Sequence, residues 1–264
     1  MSGERYTYGD TELAAERLGL VARVFEPSTR AFLERTVTSP PPLAYDLGCG
    51  PGHTTRLLHS VTGSVRTVGL DRSGPFLDRA RDGAPAGVGF RAHDVREVPF
   101  PEGPANLIYC RLLLAHLVDP PGVVARWATQ LGSGALLLLD ELEAIETADP
   151  VFDAYLRDVA LPVVEAQGAR LIVGQLLAAM PDPPGTERVA NEVVTFTPPS
   201  AESARIFGMN LAVLLERSEI EPQPGLAAYL AAIADGSRGA EPVVWRMRQL
   251  AFRRTAVSET VASD

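Results

Sequence analysis

The chain has 264 residues, 46% of them hydrophobic, and a net charge of −9 at pH 7. This length allows one large domain or two small ones. All 24 basic residues are arginines and they form no basic run, which argues against a nucleic-acid or anionic-membrane partner. The charged N-terminus is unlike a signal peptide, and the apolar runs are too short to span a bilayer, so we expect a cytoplasmic protein.

The first predicted elements are helices near the N-terminus, indicated by the spacing of apolar residues. Residues 11–35 have this spacing, on a face that also carries Arg17, and we expect Pro27 to break the segment into two helices. The proline-rich stretch 39–42 then forms a stiff connector into the first strand.

Strands and helices alternate from residue 43 to residue 140. The predicted strands are 43–47, 65–70, 88–92, 105–110 and 134–140, and the predicted helices are 53–61, 74–82, 112–118 and 121–131. Continuous apolar strands such as Leu136–Leu139 are typical of a parallel sheet that is covered on both faces.

The regular alternation of strands and helices ends after Glu141. We expect helices at 149–166 and 170–180, a strand at 189–196, a mostly helical stretch at 200–236, and a final strand at 243–252. No internal repeat is visible.

The most informative segment is Tyr-Asp-Leu-Gly-Cys-Gly-Pro-Gly, residues 45–52. It has glycines at three alternate positions between a predicted strand and a predicted helix. Glycine has no Cβ and tolerates positive φ, so main-chain N–H groups can approach a polar ligand. Taken alone, the segment is equally consistent with a simple tight turn.

Two acidic residues follow at the ends of the next two strands. Asp71 comes 25 residues after Asp46, a spacing that suits an acid binding a ribose diol in a β-α-β unit. Asp94 ends the third strand and suits an exocyclic amine. Each could instead cap a helix or turn. Because the carboxyl ends of parallel strands are where such sheets bind ligands, the ordered series favours a nucleotide site.

Together these motifs resemble the class I S-adenosylmethionine (SAM)-dependent methyltransferases, in detail over residues 40–145. The resemblance implies an α/β, Rossmann-like, mostly parallel sheet of seven strands with the last strand antiparallel, helices on both faces and a helical lid. It implies a single domain, 1–264, made of an N-terminal cap (1–38), a SAM-binding core (39–145) and a C-terminal half (146–254) with a lid insertion at about 200–238.

The resemblance also implies a cofactor and a set of residues that bind it. The cofactor is SAM, which leaves as S-adenosylhomocysteine (SAH), and no metal is expected. The implied cofactor residues are Asp46, Gly48, Cys49, Gly50, His53, Thr54, Asp71, Arg72, Asp94, Val95, Cys110 and Arg111. A dinucleotide fingerprint fits less well, because His53 occupies its third glycine position.

Four residues are candidates to assist methyl transfer. His116 could accept a proton near neutral pH, and Asp140 and Glu141 follow the fifth strand on the substrate side. Tyr8, with Tyr6, could close over the site from the N-terminus. The alternatives are a packing role for His116, capping or surface roles for the two acids, and an anchoring role for the tyrosines.

The acceptor is not identified by any motif. The resemblance favours a small apolar molecule of bacterial secondary metabolism, bound by a monomer or homodimer without nucleic acid or membrane. The alternatives are a non-methylating reaction on the same fold, such as a cyclisation or decarboxylation, and a non-catalytic SAM-binding protein. The lid helices could instead pad the core or form a dimer contact.

Overall fold

The structure is a computed structural model that describes residues 9–221 and 223–255. Seven strands form one sheet in the order β3-β2-β1-β4-β5-β7-β6, and β7 runs antiparallel to both of its neighbours. The strands are β1 (Leu43–Leu47), β2 (Arg66–Asp71), β3 (Val88–Ala92), β4 (Ala105–Arg111), β5 (Leu131–Thr147), β6 (Thr186–Phe196) and β7 (Val243–Arg254). The α/β fold class expected from the sequence is confirmed.

The described residues form nine α-helices. They are α1 (Glu12–Thr36), α2 (His53–Thr62), α3 (Gly74–Arg81), α4 (Pro120–Ala128), α5 (Pro150–Tyr155), α6 (Leu161–Ala166), α7 (Gly174–Ala179), α8 (Ser200–Glu216) and α9 (Pro224–Ala234). A π-helical turn, Leu156–Ala160, joins α5 to α6. Within the described part of the chain, none of these helices has the length and hydropathy that a membrane crossing needs.

Helices cover both faces of the sheet. Alternate residues of a strand face opposite sides, and in β4 this places Leu107 and Tyr109 against α1 and α2. Ile108 and Cys110 pack on the other side, against α4 and α7. A separate hydrophobic cluster joins α1, α5, α8 and α9 to β7 and contains Phe25, Phe152 and Phe207.

Helix α1 is continuous, so the predicted break at Pro27 is wrong. Proline removes the hydrogen bond that its N–H would make to the carbonyl of Arg23. Both residues are exposed, so water can bind that carbonyl. Buried residues on either side, such as Phe25 and Phe32, keep α1 packed against α8 and α2.

Several other predicted boundaries differ from the structure. Strand β5 is longer than 134–140 because it pairs with β7 along Leu136–Thr147. The predicted helix 112–118 is only a 3₁₀ turn, Leu114–His116, because Leu112 leaves β4 with a φ of +52°. The helical stretch 200–236 divides into α8 and α9, and α7 starts later than predicted, at Gly174.

Candidate functional site

A cavity of about 530 Å³ lies at the carboxyl ends of β1, β2 and β4. Its lining residues fall into two groups. The loop side consists of the loops that follow β1 to β4, with Gly50, Asp71, Asp94 and Arg111. The helix side consists of α1, the segment from α5 to α6, α8, and side chains of β5 and β7. This is the edge at which sheets of this topology bind ligands.

The glycine loop between β1 and α2 is fixed by main-chain hydrogen bonds. The N–H groups of Gly48 and Cys49 donate to the carbonyl of Leu70 at 2.8 and 3.0 Å. The Gly50 N–H donates to a carboxylate oxygen of Asp71 at 2.8 Å. Gly50 has a φ of +51°, a conformation that residues with a Cβ disfavour, so the loop needs glycine there.

Asp71 ends β2 and connects the glycine loop to the start of α3. Its second carboxylate oxygen accepts a hydrogen bond from the Ser73 N–H at 2.8 Å, and burial raises its pKa. Ser73, not Asp71, is the N-cap of α3, because the Ser73 hydroxyl accepts from the Phe76 N–H at 3.2 Å. The Ser73 hydroxyl also donates to Asp10, just before α1, at 2.9 Å.

Asp94 follows β3 and is held by two arginines. The Arg96 guanidinium donates to both of its carboxylate oxygens at 2.6 to 3.2 Å, and Arg72 lies 3.8 Å away. The hydrogen bonds from Arg96 keep the pKa of Asp94 below its usual range, so the carboxylate is ionised at neutral pH. Val95 also lines the cavity, and its carbonyl accepts a hydrogen bond from the Trp127 indole at 2.6 Å.

Arg111 places a positive charge beside the first turn of α2. Its guanidinium donates to the hydroxyls of Thr29 on α1 and Thr54 on α2, at 3.1 and 3.0 Å. His53, the first residue of α2, is neutral at pH 7, because burial and nearby arginines lower its pKa. The arginine and the positive end of the α2 dipole together favour a bound anion.

The side chains of two predicted cofactor residues do not line the cavity. Asp46 is buried beneath the glycine loop, accepts a hydrogen bond from the Thr55 hydroxyl at 2.6 Å, and has a pKa that burial raises to about 7. The Cys110 thiol is fully buried and donates to Glu141 at 3.6 Å. These two side chains support the loops that line the cavity, and contact of the two residues with the cofactor stays a prediction.

The structure contradicts the prediction that Asp140 is a base. Its carboxylate accepts hydrogen bonds from the Thr29 and Tyr109 hydroxyls, both at 2.9 Å, and from the Gln249 amide at 3.0 Å. The side chain is fully buried and does not line the cavity, so no acceptor can reach it. Asp140 connects α1, β4 and β7 instead.

Glu141 is enclosed in the same way, and its prediction as a base is also wrong. One carboxylate oxygen accepts from the N–H groups of Leu113 and Leu114, both at 2.9 Å. Its other oxygen has no hydrogen-bond partner in the described part of the chain. Burial raises the pKa of Glu141 to about 7. Its position shows that it fixes the turn that follows β4.

His116 does line the cavity, from the 3₁₀ turn after β4. Burial, followed by the charge of Arg17, lowers its pKa to about 4, so the ring is neutral at pH 7 and only weakly basic. Its catalytic role stays a prediction. Tyr8, the fourth candidate, lies outside the described residues, as does Tyr6.

A polar group on the helix side was missed by the sequence reasoning. Arg17 on α1 is 8% exposed, and its guanidinium donates to the side-chain oxygen of Asn210 on α8. The Asn210 amide donates to the Tyr155 hydroxyl at 2.7 Å. All three residues line the cavity. One indication of this group was present in the sequence, since Arg17 lies among the apolar residues on one face of the first predicted helix.

Aromatic rings form much of the remaining helix side. Tyr155 stacks on Phe207 with ring centroids 4.4 Å apart, and Phe25 meets Trp245 edge-on at 5.3 Å. All four residues line the cavity, together with aliphatic side chains such as Leu142. This wall suits an apolar ligand.

Two comparisons of sequence agree with this geometry. Residues 44–134 match a family model described as a methyltransferase domain. A trans-aconitate 2-methyltransferase of Yersinia pseudotuberculosis is 35% identical over 111 residues, which are 42% of this chain and 42% of that protein. The chain therefore matches less than half the length of the curated relatives.

Solved structures share the fold over most of the chain. A putative methyltransferase from Bacillus halodurans aligns with a TM-score of 0.59 and 18% identity, over 87% of this chain and 100% of that one. The [4+2]-cyclase SpnF aligns with a TM-score of 0.53 and 19% identity, over 88% and 81%. The protein has the fold of the class I SAM-dependent methyltransferases, and residues 44–134 match a methyltransferase domain. The resemblance seen in the sequence is thus confirmed.

Proposed function

We propose that this protein is a SAM-dependent methyltransferase that acts on a small-molecule acceptor. The observation that carries the proposal is the link between the glycine loop and Asp71, at 2.8 Å, inside the matched methyltransferase domain. It makes the loop and the acid one preformed unit in the wall of the cavity.

The residues on the loop side fit the three parts of SAM. Asp71 is placed to accept hydrogen bonds from a ribose diol, and the ionised Asp94 can accept one from an adenine amine. Arg111 and the start of α2 can bind the carboxylate of the methionine part. A Cβ on Gly50 would project to 3.4 Å from Leu18 and fill space beside the loop.

When bound, SAM supplies a methyl group that its sulfonium makes electrophilic. The protein's contribution is then to hold the acceptor in line with that group and to exclude water. The aromatic wall of the helix side can hold an apolar acceptor, and the neutral His116 can orient a polar atom on it.

We infer that α1 and α8 act as the lid over the acceptor. Both helices line the cavity, through residues such as Val21 and Ile206, and they pack against each other. Helix α9 packs on α8 and α5 and supports them. The division of the chain into cap, core and lid follows from this arrangement and remains part of the proposal.

Trans-aconitate, which gives the curated relatives their name, carries three carboxylates. The helix side offers two guanidinium groups among mostly apolar side chains, those of Arg17 and Arg217, and Arg217 is already paired with Glu219 at 3.3 Å. Burying two further carboxylates without partners would be costly. We therefore propose a less polar acceptor for this chain. Its place in bacterial secondary metabolism and in the cytoplasm remains a prediction from the sequence.

A calorimetric titration with SAH tests the cofactor, and methyl transfer from SAM to candidate acceptors tests the reaction. We expect SAH to bind at micromolar strength or better and NADH not to bind. Binding of NADH without binding of SAH would overturn the proposal. Binding of SAH without methyl transfer to any acceptor would favour a non-methylating enzyme or a SAM-binding protein.

A further inference from the structure

Besides the half-buried Arg217, which pairs with Glu219 at 3.3 Å, the mostly apolar helix side of the cavity has one buried positive charge. Arg17 contributes this charge from α1, and its guanidinium is held by Asn210 of α8. Asn210 is 5% exposed and is itself fixed by its hydrogen bond to the buried Tyr155 hydroxyl. The guanidinium thus has a defined position at the surface of the cavity.

Acidic side chains lie on the other side of the cavity. Among the described lining residues, the only carboxylates are Asp10, Asp71 and Asp94. Asp71 and Asp94 follow β2 and β3, and Asp10 is hydrogen-bonded to Ser73 on the same side. The helix side therefore attracts anions, and a guanidinium surrounded by apolar groups binds a carboxylate more strongly than it would in water.

On the helix side, no carboxylate lines the described cavity wall. Asp140 and Glu141 are enclosed in the protein and do not line the cavity. His116 does, but burial, followed by the charge of Arg17, lowers its pKa and makes its ring a weak proton acceptor. A nucleophile that is already ionised at neutral pH does not need a base, and a carboxylate is such a nucleophile.

We propose that the acceptor is an apolar monocarboxylic acid whose carboxylate is bound by Arg17 and is methylated on oxygen to give a methyl ester. This inference rests on the proposed methyltransferase function. One carboxylate oxygen forms the new C–O bond as the C–S bond breaks. The electron pair stays on sulfur, which leaves as the thioether of SAH, and no proton is transferred. The second oxygen can remain hydrogen-bonded to Arg17, and the aromatic wall holds the apolar body.

The first test compares acids with their amides as ligands of the SAH-loaded protein. Cinnamate and cinnamamide differ only in the group that Arg17 would bind, and octanoate with octanamide repeats the comparison on an aliphatic chain. We expect each acid to bind about 10- to 100-fold more tightly than its amide in calorimetry, since charged hydrogen bonds have this strength. Equal binding of acid and amide, or no binding of either acid, would overturn the inference.

Variants then assign the preference to Arg17. Arg17→Gln should remove the difference between acid and amide, and Arg17→Lys should keep part of it. Arg30→Gln removes a charge from the same helix at a position that does not line the cavity, and it should leave the difference unchanged. If Arg17→Gln does not fold, the comparison in the unmodified protein still decides the question. A preference for acids that survives in folded Arg17→Gln would contradict the role of Arg17.

The third test measures methyl transfer from SAM to the same acids and amides. The expected product of cinnamate is methyl cinnamate, identified by mass spectrometry and by its hydrolysis in alkali. Methylation of cinnamamide but not of cinnamate would overturn the inference. The titration with SAH distinguishes failure of this inference from failure of the methyltransferase proposal. If SAH binds but acids are not preferred, only the carboxylate acceptor is ruled out.

Discussion

Gly50 and Asp71 are joined by a hydrogen bond of 2.8 Å from the glycine N–H to the carboxylate. The acid at the end of β2 therefore fixes the loop that follows β1, and the Ser73 N–H holds its other oxygen at 2.8 Å. Both oxygens are oriented before any ligand arrives. A ligand that needs this carboxylate meets a site whose geometry is already set, which lowers the entropic cost of binding.

The first prediction concerns this carboxylate. Asp71→Ala removes the acceptor for a ribose diol, and we expect SAH affinity to fall by about 100-fold, as for the loss of two hydrogen bonds. Calorimetry measures the change. Asp78→Ala, on the exposed side of α3, is the control and should bind SAH normally. Unchanged affinity in folded Asp71→Ala would remove Asp71 from the cofactor site.

The second prediction concerns the space beside Gly50. Gly50→Val should block SAH binding while the fold survives, because the new side chain enters the space between the loop and α1. Gly83→Val is a matched control: Gly83 has a similar φ, +61° against +51°, but open space around it. Both variants should lose about 1–2 kcal/mol of stability through backbone strain. Normal SAH binding by Gly50→Val would show that the loop does not approach the cofactor.

The third prediction assigns Arg111 to the methionine carboxylate. Arg111→Gln should weaken SAH by about 10- to 100-fold, because it removes a charged hydrogen-bond donor beside the start of α2. Methylthioadenosine has the adenine, ribose and sulfur of SAH but lacks its amino-acid part, so its affinity should not change. Equal weakening of both ligands would mean that Arg111 acts by holding Thr29 and Thr54 in place.

The sheet and the loop side of the cavity were predictable because their signals are local. Alternating strands and helices, three glycines in the first turn, and acids at strand ends follow one another within about a hundred residues of sequence. Each such signal depends on backbone conformation or on a strand's end, which nearby residues determine. The order β5-β7-β6 was predictable only through the family resemblance, since nothing local specifies that pairing.

The helix side was not predictable in the same way. Arg17 and Asn210 are 193 residues apart, and only the packing of α1 against α8 brings them together. Asp140 was predicted to be a base because it follows the apolar residues of the fifth strand, where a catalytic acid could also lie. Its true environment depends on distant residues. Its partners, Thr29 and Gln249, come from distant elements and close over it. Long-range burial of this kind leaves no periodic pattern in the sequence.

The last prediction follows from the burial of Glu141. Burial raises its pKa from 4.5 to about 7, so between these pH values the folded protein holds a proton that the unfolded chain releases. The free energy of unfolding therefore falls as the pH rises from 4.5 to 7, with a contribution from this group of about 3 kcal/mol. Above pH 7 the carboxylate is ionised in both states, and its contribution to the slope ends.

Glu141→Gln should remove this part of the pH dependence. The amide oxygen can still accept from the Leu113 and Leu114 N–H groups, but no charge develops beside the oxygen that lacks a partner. The stability of the variant relative to the unmodified protein should thus increase from pH 5 to pH 8 in urea denaturation. Asp46, whose pKa burial also raises to about 7, adds a slope of the same sign to both proteins and cancels in the difference. Glu165→Gln, at an exposed position on α6, should give a flat difference. A flat difference for Glu141→Gln as well would mean that Glu141 is ionised in the folded protein throughout this range.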